Sequence, residues 1–202
     1  MLTNLLKPYI VTFIPIFLAI DIIGTIPIFL GLTENFTEKQ KNKVLSDSIV
    51  MATILAVVFG FLGKIILRGM GITIDDFRIA GGVMLFILSV YLMMPGKSKA
   101  FVSGSLLEED IGIFPLATPL ITGPAVLVTT MMLLDGFGPM ATLTSLILNM
   151  VIAWLALKYS GVLINIFGNS GIKAFSKISY IFLAAIGVMI IRMGIIGVIF
   201  SF

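Results

Sequence analysis

Six apolar stretches, each close to the length of a membrane-spanning helix, constrain the fold of this chain more than any other feature. A helix needs about 20 mostly apolar residues to cross the hydrocarbon core of a bilayer. The stretches lie near Tyr9–Leu32, Asp47–Leu67, Ile79–Met94, between Asp110 and Asp135, near Ala141–Leu157 and near Ile178–Phe200. Because the polar connections between them are too short for a soluble domain, we expect one transmembrane domain over residues 1–202.

The composition agrees with an integral membrane protein and excludes several kinds of chemistry. The chain is 59% hydrophobic and 11% charged, with a mean hydropathy of +1.18, whereas soluble domains are roughly 25% charged. A net charge of +3 is too small to indicate nucleic-acid binding. The chain has neither Cys nor His, which removes disulfides, haem ligation and nearly every zinc or iron site. We therefore expect no cofactor and no metal, and a membrane-embedded enzyme is disfavoured.

The distribution of basic residues predicts the orientation of a multi-pass protein in the cell membrane. One set of connections carries Lys39, Lys41, Lys43, Lys97, Lys99, Lys173 and Lys177. The opposite side carries Lys7, Lys64, Arg68 and Arg78. Since cytoplasmic loops are enriched in Lys and Arg, both termini are predicted to lie outside.

Landmarks recur along the chain at a nearly constant separation, which suggests an internal repeat. The pairs are Pro27 with Pro124, Gly63 with Gly161, and Arg78 with Lys177, separated by 97, 98 and 99 residues. The repeats would cover residues 8–96 and 111–202, with three spans each. An odd number of spans inserts the second unit from the opposite side of the membrane. The predicted fold is therefore all-α, with six transmembrane helices in a 3+3 inverted repeat. Chance similarity between apolar segments is the alternative.

The first and fourth spans contain helix-breaking residues at matching places. The first reads DIIGTIP over residues 21–27, where the helix is expected to open just before Pro27. The fourth reads FPLATPLITGPAV over residues 114–126. A broken helix exposes backbone amides that lipid cannot satisfy, so each break must face protein or a watery cavity. Interrupted helices in both halves are typical of a transporter binding site. Kinks that serve only helix packing are the alternative.

Asp21 lies within the first span, where an ionised carboxylate costs about 2.5–3.5 kcal/mol at a helix centre. It could bind a substrate ammonium group, carry a coupled proton or pair with Arg192. The half-helix N-termini near Thr25 and Thr122 would attract a substrate carboxylate. The predicted substrate-binding residues are Asp21, Gly24, Thr25, Pro27, Thr118, Thr122, Gly123, Pro124 and Asn149. Asn149 could instead bond a neighbouring helix.

These segments resemble the MarC family, also called the SnatA-like small neutral amino acid transporter family. The resemblance covers essentially the whole chain, and its strongest carriers are residues 17–33, 77–86 and 114–129. Family members show Asp-Pro-x-Gly-x-x-Pro in the first span, where this chain has Ile22 in place of the first proline. The resemblance implies six transmembrane helices and transport of glycine or alanine, driven by a cation gradient such as that of protons.

The combined expectation is a secondary transporter of a small neutral amino acid, lying in the lipid bilayer and working by alternating access. Its partners would be glycine or alanine, a coupling proton or cation, and a second copy of the chain if it forms a homo-oligomer. The alternatives are a non-transporting scaffold or regulatory protein, an exporter of another small polar solute, and a passive channel. No Walker-type motif is present to use ATP directly.

Overall fold

The computed structural model describes residues 2–34, 36–94 and 112–200, and almost all of them are helical. The elements are α1 (Leu2–Ile20), α2 (Ile22–Leu32), α3 (Glu38–Gly69), α4 (Ile74–Met93), a π-helical segment (Gly112–Ile121), α5 (Pro124–Lys158) and α6 (Gly161–Phe200). No strand occurs in these three ranges. The predicted all-α class is therefore confirmed.

Capping boxes set the beginnings of α3 and α4. Thr37 Oγ1 accepts a hydrogen bond from the backbone N–H of Gln40, whose side-chain oxygen in turn accepts one from the backbone N–H of Thr37. Thr73 and Asp76 make the same exchange. These side chains satisfy backbone amides that have no partner in the first turn. Both helices consequently begin earlier than the apolar stretches, and α4 includes part of the polar segment before Ile79.

The number of clear membrane-spanning helices is smaller than the six expected. Among the residues that the structure describes, four helices are long and apolar enough to cross a bilayer: Glu38–Gly69, Ile74–Met93, Pro124–Lys158 and Lys177–Phe200. A further pair of helices, Leu6–Ile20 and Gly24–Leu32, is long and apolar enough only when the two are taken together, and they are bent by 41°. Counting this bent pair as one span gives up to five candidate spans in the described residues. The difference arises because residues 124–158 form one long helical element, in which the backbone leaves helical angles at Gly138 (φ 78°, ψ 172°).

Contacts along α3 show that α5 reverses direction at this break. Ala52 bonds Thr122, Lys64 pairs with Asp135, and Leu45 lines a pocket with Leu157. The first two contacts place residues 122–135 parallel to α3. The third places the C-terminal end of α5 beside the beginning of α3, so residues 139–158 run antiparallel to it. A straight helix could not make all three contacts, because residues 122 and 157 would lie roughly 50 Å apart along its axis.

Polar side chains join α1 to the second half of α5. The hydroxyl groups of Thr12 and Ser145 lie 2.7 Å apart, and Ser145 also donates to the carbonyl oxygen of Tyr9. Asn149 Nδ2 donates to the carbonyl oxygen of Phe13 at 3.2 Å. Such interhelical hydrogen bonds stabilise helix pairs inside a membrane. The two helices run in parallel, since Tyr9 and Phe13 meet Ser145 and Asn149 in the same order.

Glycines allow α4 and α6 to cross at close range. A Cβ atom on Gly82 would lie 2.6 Å from the carbonyl oxygen of Gly187, and one on Gly187 would lie 2.8 Å from that of Gly82. Gly194 packs in turn on Ile79, so the two helices run antiparallel. Small residues at a crossing let the backbones approach closely, which is common between membrane helices.

Candidate functional site

Asp21 separates α1 from α2 and begins the second helix. Its backbone is left-handed, with φ 46° and ψ 58°, a region that Asp and Asn tolerate better than most residues. Its Oδ1 accepts a hydrogen bond from the backbone N–H of Gly24 at 3.2 Å, which caps α2. The sequence led us to expect the break just before Pro27. It lies instead at Asp21, because this residue both leaves the helix and caps the next one, and α2 continues through Pro27.

The second break lies where the sequence predicts it, between the π-helical segment and α5. Thr122 N–H bonds the carbonyl oxygen of Ala117 at 2.9 Å, which is the wide i→i−5 spacing. Gly123 is the N-cap of α5 and makes no side-chain cap, and Pro124 occupies the first turn, where its missing N–H costs nothing. A Cβ atom at Gly123 would lie 2.5 Å from the carbonyl oxygen of Pro119. Glycine is therefore needed for this tight passage.

The beginnings of α2 and α5 meet at one small cavity. Asp21, Gly24 and Thr25 line it from the first break, and Gly123 and Ala125 from the second. Its volume is about 30 Å³. A water needs at least about 10–15 Å³ by this kind of measure. The cavity thus admits one or two waters in this conformation.

Four of the nine predicted site residues line this cavity: Asp21, Gly24, Thr25 and Gly123. Pro27 is buried within α2, and Thr118 is half-buried in the π-helical segment. Neither lines the cavity. The alternative partner Arg192 is exposed, and no ion pair joins it to Asp21.

The remaining three predicted residues contact other helices. Thr122 donates its hydroxyl proton to the carbonyl oxygen of Ala52 at 2.9 Å. Pro124 packs so closely on Gly81 that a Cβ atom there would overlap its ring. Asn149 joins α5 to α1. These residues hold the helices around the breaks.

Sequence reasoning missed the apolar wall of the cavity. Leu85 contributes from α4, and Leu183, Ile186 and Ile190 contribute from α6. The three α6 residues recur at intervals of three and four, which is the spacing of one helix face. This periodicity could have indicated a shared face, but it does not identify what the face contacts.

The fold and site define a class: multi-pass α-helical membrane proteins in which two interrupted helices begin at a common cavity beside a carboxylate. The chain belongs to the MarC family of integral membrane proteins, whose family model matches residues 6–199. The predicted family membership is thereby confirmed, as is the multi-pass membrane location.

Relatives match along nearly their whole length. A UPF0056 membrane protein of Methanocaldococcus jannaschii is 34% identical over 204 residues, covering 96% of this chain and 89% of the relative. The UPF0056 membrane protein YhcE of Escherichia coli is 29% identical over 196 residues, covering 92% and 91% respectively. No solved structure matches the chain significantly.

Proposed function

We propose that this protein is a secondary transporter of small neutral amino acids such as glycine and alanine, coupled to a proton or another cation. The observation that carries the proposal is the unequal capping of the two helices that begin at the cavity. Asp21 caps α2 with its own carboxylate, whereas no side chain caps α5 at Gly123. One helix end is therefore open to a ligand anion, and a carboxylate lies across from it.

This asymmetry suits a zwitterion. The first backbone amides of a helix lack partners within it and carry partial positive charge, so the start of α5 would hold the substrate carboxylate. One oxygen of Asp21 is engaged by Gly24, and the other would accept the substrate ammonium group or the coupled proton. The sequence led us to expect that both helix starts would bind the substrate carboxylate. We now propose that only the start of α5 does so.

The walls of the cavity favour a small side chain. Part of the cavity wall consists of small residues: Ala19, Gly24, Gly123 and Ala125. Leu and Ile side chains form much of the rest of the wall. A cavity of about 30 Å³ must widen to hold even glycine, so binding would require a conformational change. Alternating access supplies such a change.

We further propose that the chain forms six spans in a 3+3 inverted repeat, with both termini outside. The reversal at Gly138 would divide α5 into the fourth and fifth spans. The parallel pair of α1 with residues 139–158 would then correspond to the parallel pair of α3 with residues 124–137. The α4–α6 crossing would lie on the symmetry axis.

The glycines at that crossing suggest a different register for the third and sixth spans. Gly-Val-Met occurs at residues 82–84 and again at residues 187–189, which are 105 positions apart. If the axis passes between Gly82 and Gly187, this register replaces the equivalence of Arg78 with Lys177, which was 99 positions apart. The repeated Gly-Val-Met is visible in the sequence, but its Gly-rich apolar surroundings make it hard to distinguish from chance similarity.

Uptake of radiolabelled glycine and alanine into proteoliposomes under an imposed proton gradient tests the function. Asp21→Asn keeps a residue that tolerates the left-handed backbone while removing the charge. We expect gradient-driven uptake by the wild type and its loss in this variant. Asp47→Asn, at an exposed position on α3, is the matched control and should transport normally. Absence of uptake by folded wild-type protein across both substrates and several cation gradients would contradict the proposal.

A further inference from the structure

A second, larger pocket opens where the end of α3, the start of α4 and the end of the first half of α5 meet. Its volume is about 390 Å³. Four charged side chains line it, two basic and two acidic: Lys64, Arg78, Asp75 and Asp135. The pocket is thus neutral overall but presents both signs of charge.

These four side chains satisfy one another in two ion pairs. Lys64 Nζ contacts Asp135 Oδ2, joining α3 to α5. Arg78 Nη1 lies 2.7 Å from Asp75 Oδ1. The side chains of Lys64 and Asp135 are 36% and 56% exposed, and those of Arg78 and Asp75 are 27% and 22% exposed. Partly exposed ion pairs contribute little to stability, so a ligand that carries both charges could replace them at small cost.

The pocket lies on the same helices as the buried cavity, about two turns away. Arg78 in the pocket and Leu85 at the cavity are both on α4, and Met132 and Ala125 have the same spacing on α5. Seven residues of helix span about 10 Å. The close contact of Gly81 with Pro124 lies at the cavity end of this stretch, because Pro124 stands between Gly123 and Ala125, which both line the cavity.

We propose that this pocket is a docking vestibule for a small zwitterion on its way to the buried cavity. The inference rests on the proposed transport of amino acids. Lys64 and Arg78 bind the carboxylate of the zwitterion, Asp135 and Asp75 bind its ammonium group, and the internal ion pairs re-form once it leaves. Movement of α4 away from α5 at Gly81 and Pro124 then opens the way to Asp21.

Single-cysteine labelling tests this proposal, because the chain has no native cysteine. Met132→Cys places a thiol in the vestibule, and Ile65→Cys is the control. Ile65 is 68% exposed and follows Lys64 in sequence, but it does not line the pocket. We expect a charged methanethiosulfonate reagent to label Met132→Cys at least about tenfold faster, since thiolates form in water and not in lipid. Glycine should slow this labelling severalfold, and should still do so in an Asp21→Asn background.

A variant in which one ion pair is replaced by two neutral side chains provides a second test. Lys64→Gln with Asp135→Asn leaves the net charge unchanged, should abolish protection by glycine, and should raise the KM of uptake by about tenfold, as for loss of a charged contact. The maximal rate should stay within about twofold, because the contact acts before the buried site is reached.

Several results would contradict the proposal that this pocket is a docking vestibule. Equal labelling of the two cysteines would do so, as would normal wild-type uptake without protection by glycine. Protection by added phospholipid in place of glycine would assign the pocket to a lipid headgroup and also overturn it. Protection of Met132→Cys by glycine, together with a wild type that shows no uptake, would support the docking site and refute transport, so the two proposals can fail separately.

Discussion

Asp21 combines a backbone role and a side-chain role that few residue types could fill together. A left-handed backbone costs most residues about 1–2 kcal/mol, and Asp reduces this cost through local hydrogen bonds. Its carboxylate caps α2 through Gly24, and such a cap contributes about 1 kcal/mol. The same carboxylate lines the cavity. Strained positions of this kind cluster at binding sites, which agrees with a functional role for Asp21.

Gly24→Ala tests whether the position of this carboxylate matters. A Cβ atom at Gly24 would lie 2.4 Å from Asp21 Oδ2, so the carboxylate must turn away. We expect the KM of uptake to rise by about tenfold, since a hydrogen bond to a charged group contributes roughly 1.5–3 kcal/mol. Thermal stability should change little, because alanine is the better helix former.

Gly136→Ala is the control for this substitution, since a Cβ atom there meets nothing within 4 Å. Uptake kinetics of both variants and their unfolding temperatures in detergent provide the comparison. An unchanged KM in Gly24→Ala would show that the orientation of the Asp21 carboxylate is unimportant for binding.

Asn149→Ala separates packing from substrate binding. Asn149 bonds the carbonyl oxygens of Phe13 and Ser145, and interhelical polar contacts in membranes average about 0.6 kcal/mol, with a maximum near 1.7. We expect a loss of roughly 1 kcal/mol in unfolding free energy and an unchanged KM. Leu148→Ala, a half-exposed neighbour on the same helix, is the control. A raised KM at unchanged stability would return Asn149 to the substrate site.

The sequence predicted the residues at the cavity better than it predicted their partners. Asp21 and Gly24 could be identified because a charge and a glycine both destabilise a membrane-spanning helix, which indicates that they have a function there. Thr122 was predicted as a substrate-binding residue, yet its hydroxyl group bonds Ala52 seventy positions earlier in the chain. Helical periodicity indicates which side chains share a face, but it carries no information about which distant helix lies opposite.

At the scale of elements, hydropathy located the helices but not their ends. The capping boxes at Thr37 and Thr73 extend α3 and α4 into polar segments, because hydrogen bonding and not apolarity sets a helix start. The reversal at Gly138 interrupts the long element α5. A Gly-Pro pair suggests such a turn, and hydropathy places it correctly, since the fourth apolar stretch ends at Asp135 and the fifth begins near Ala141.

The crossing of α4 and α6 gives a prediction about helix packing. Gly82→Ala would place Cβ 2.6 Å from the carbonyl oxygen of Gly187, and Gly187→Ala would place it 2.8 Å from that of Gly82. Backbone atoms cannot move aside as side chains do, so we expect each change to lower the unfolding free energy by about 1–3 kcal/mol. Unfolding in detergent measures this loss.

The double variant sharpens this test. Once one alanine has separated the helices, the second meets less resistance, so the double variant should lose less than the sum of the two single losses. Strictly additive losses would mean that the two glycines do not share one contact. Gly136→Ala again provides the reference for a glycine in open space.

At the scale of the whole molecule, two parallel helix pairs connect the first half of the chain to the second. α1 contacts the second half of α5 through Thr12 and Ser145, and α3 contacts the residues that lead into the first half through Ala52 and Thr122. In the proposed mechanism these surfaces move past each other as one repeat rocks against the other. Both surfaces are joined by a few hydrogen bonds that can be exchanged.

A cross-link between the halves tests this motion. The hydroxyl oxygens of Thr12 and Ser145 lie 2.7 Å apart, so Thr12→Cys with Ser145→Cys should form a disulfide in an otherwise cysteine-free chain. We expect oxidation to reduce uptake by at least about tenfold, because alternating access requires the repeats to move, and a reductant should restore it. Each single variant, treated with the same oxidant, is the control. Full transport by the cross-linked protein would show that α1 and α5 move as one body.

In the proposed transport cycle, the cap on α2 would make Asp21 a switch as well as a ligand. The carboxylate can satisfy the Gly24 amide fully only while no cation competes for its charge, so an arriving proton or ammonium group weakens the first turn of the helix that it approaches. Occupancy of the cavity would thereby be converted into loosening of a helix end, without a relay of intervening residues. Faster amide hydrogen exchange at Gly24 on glycine binding would be the signature of this direct linkage.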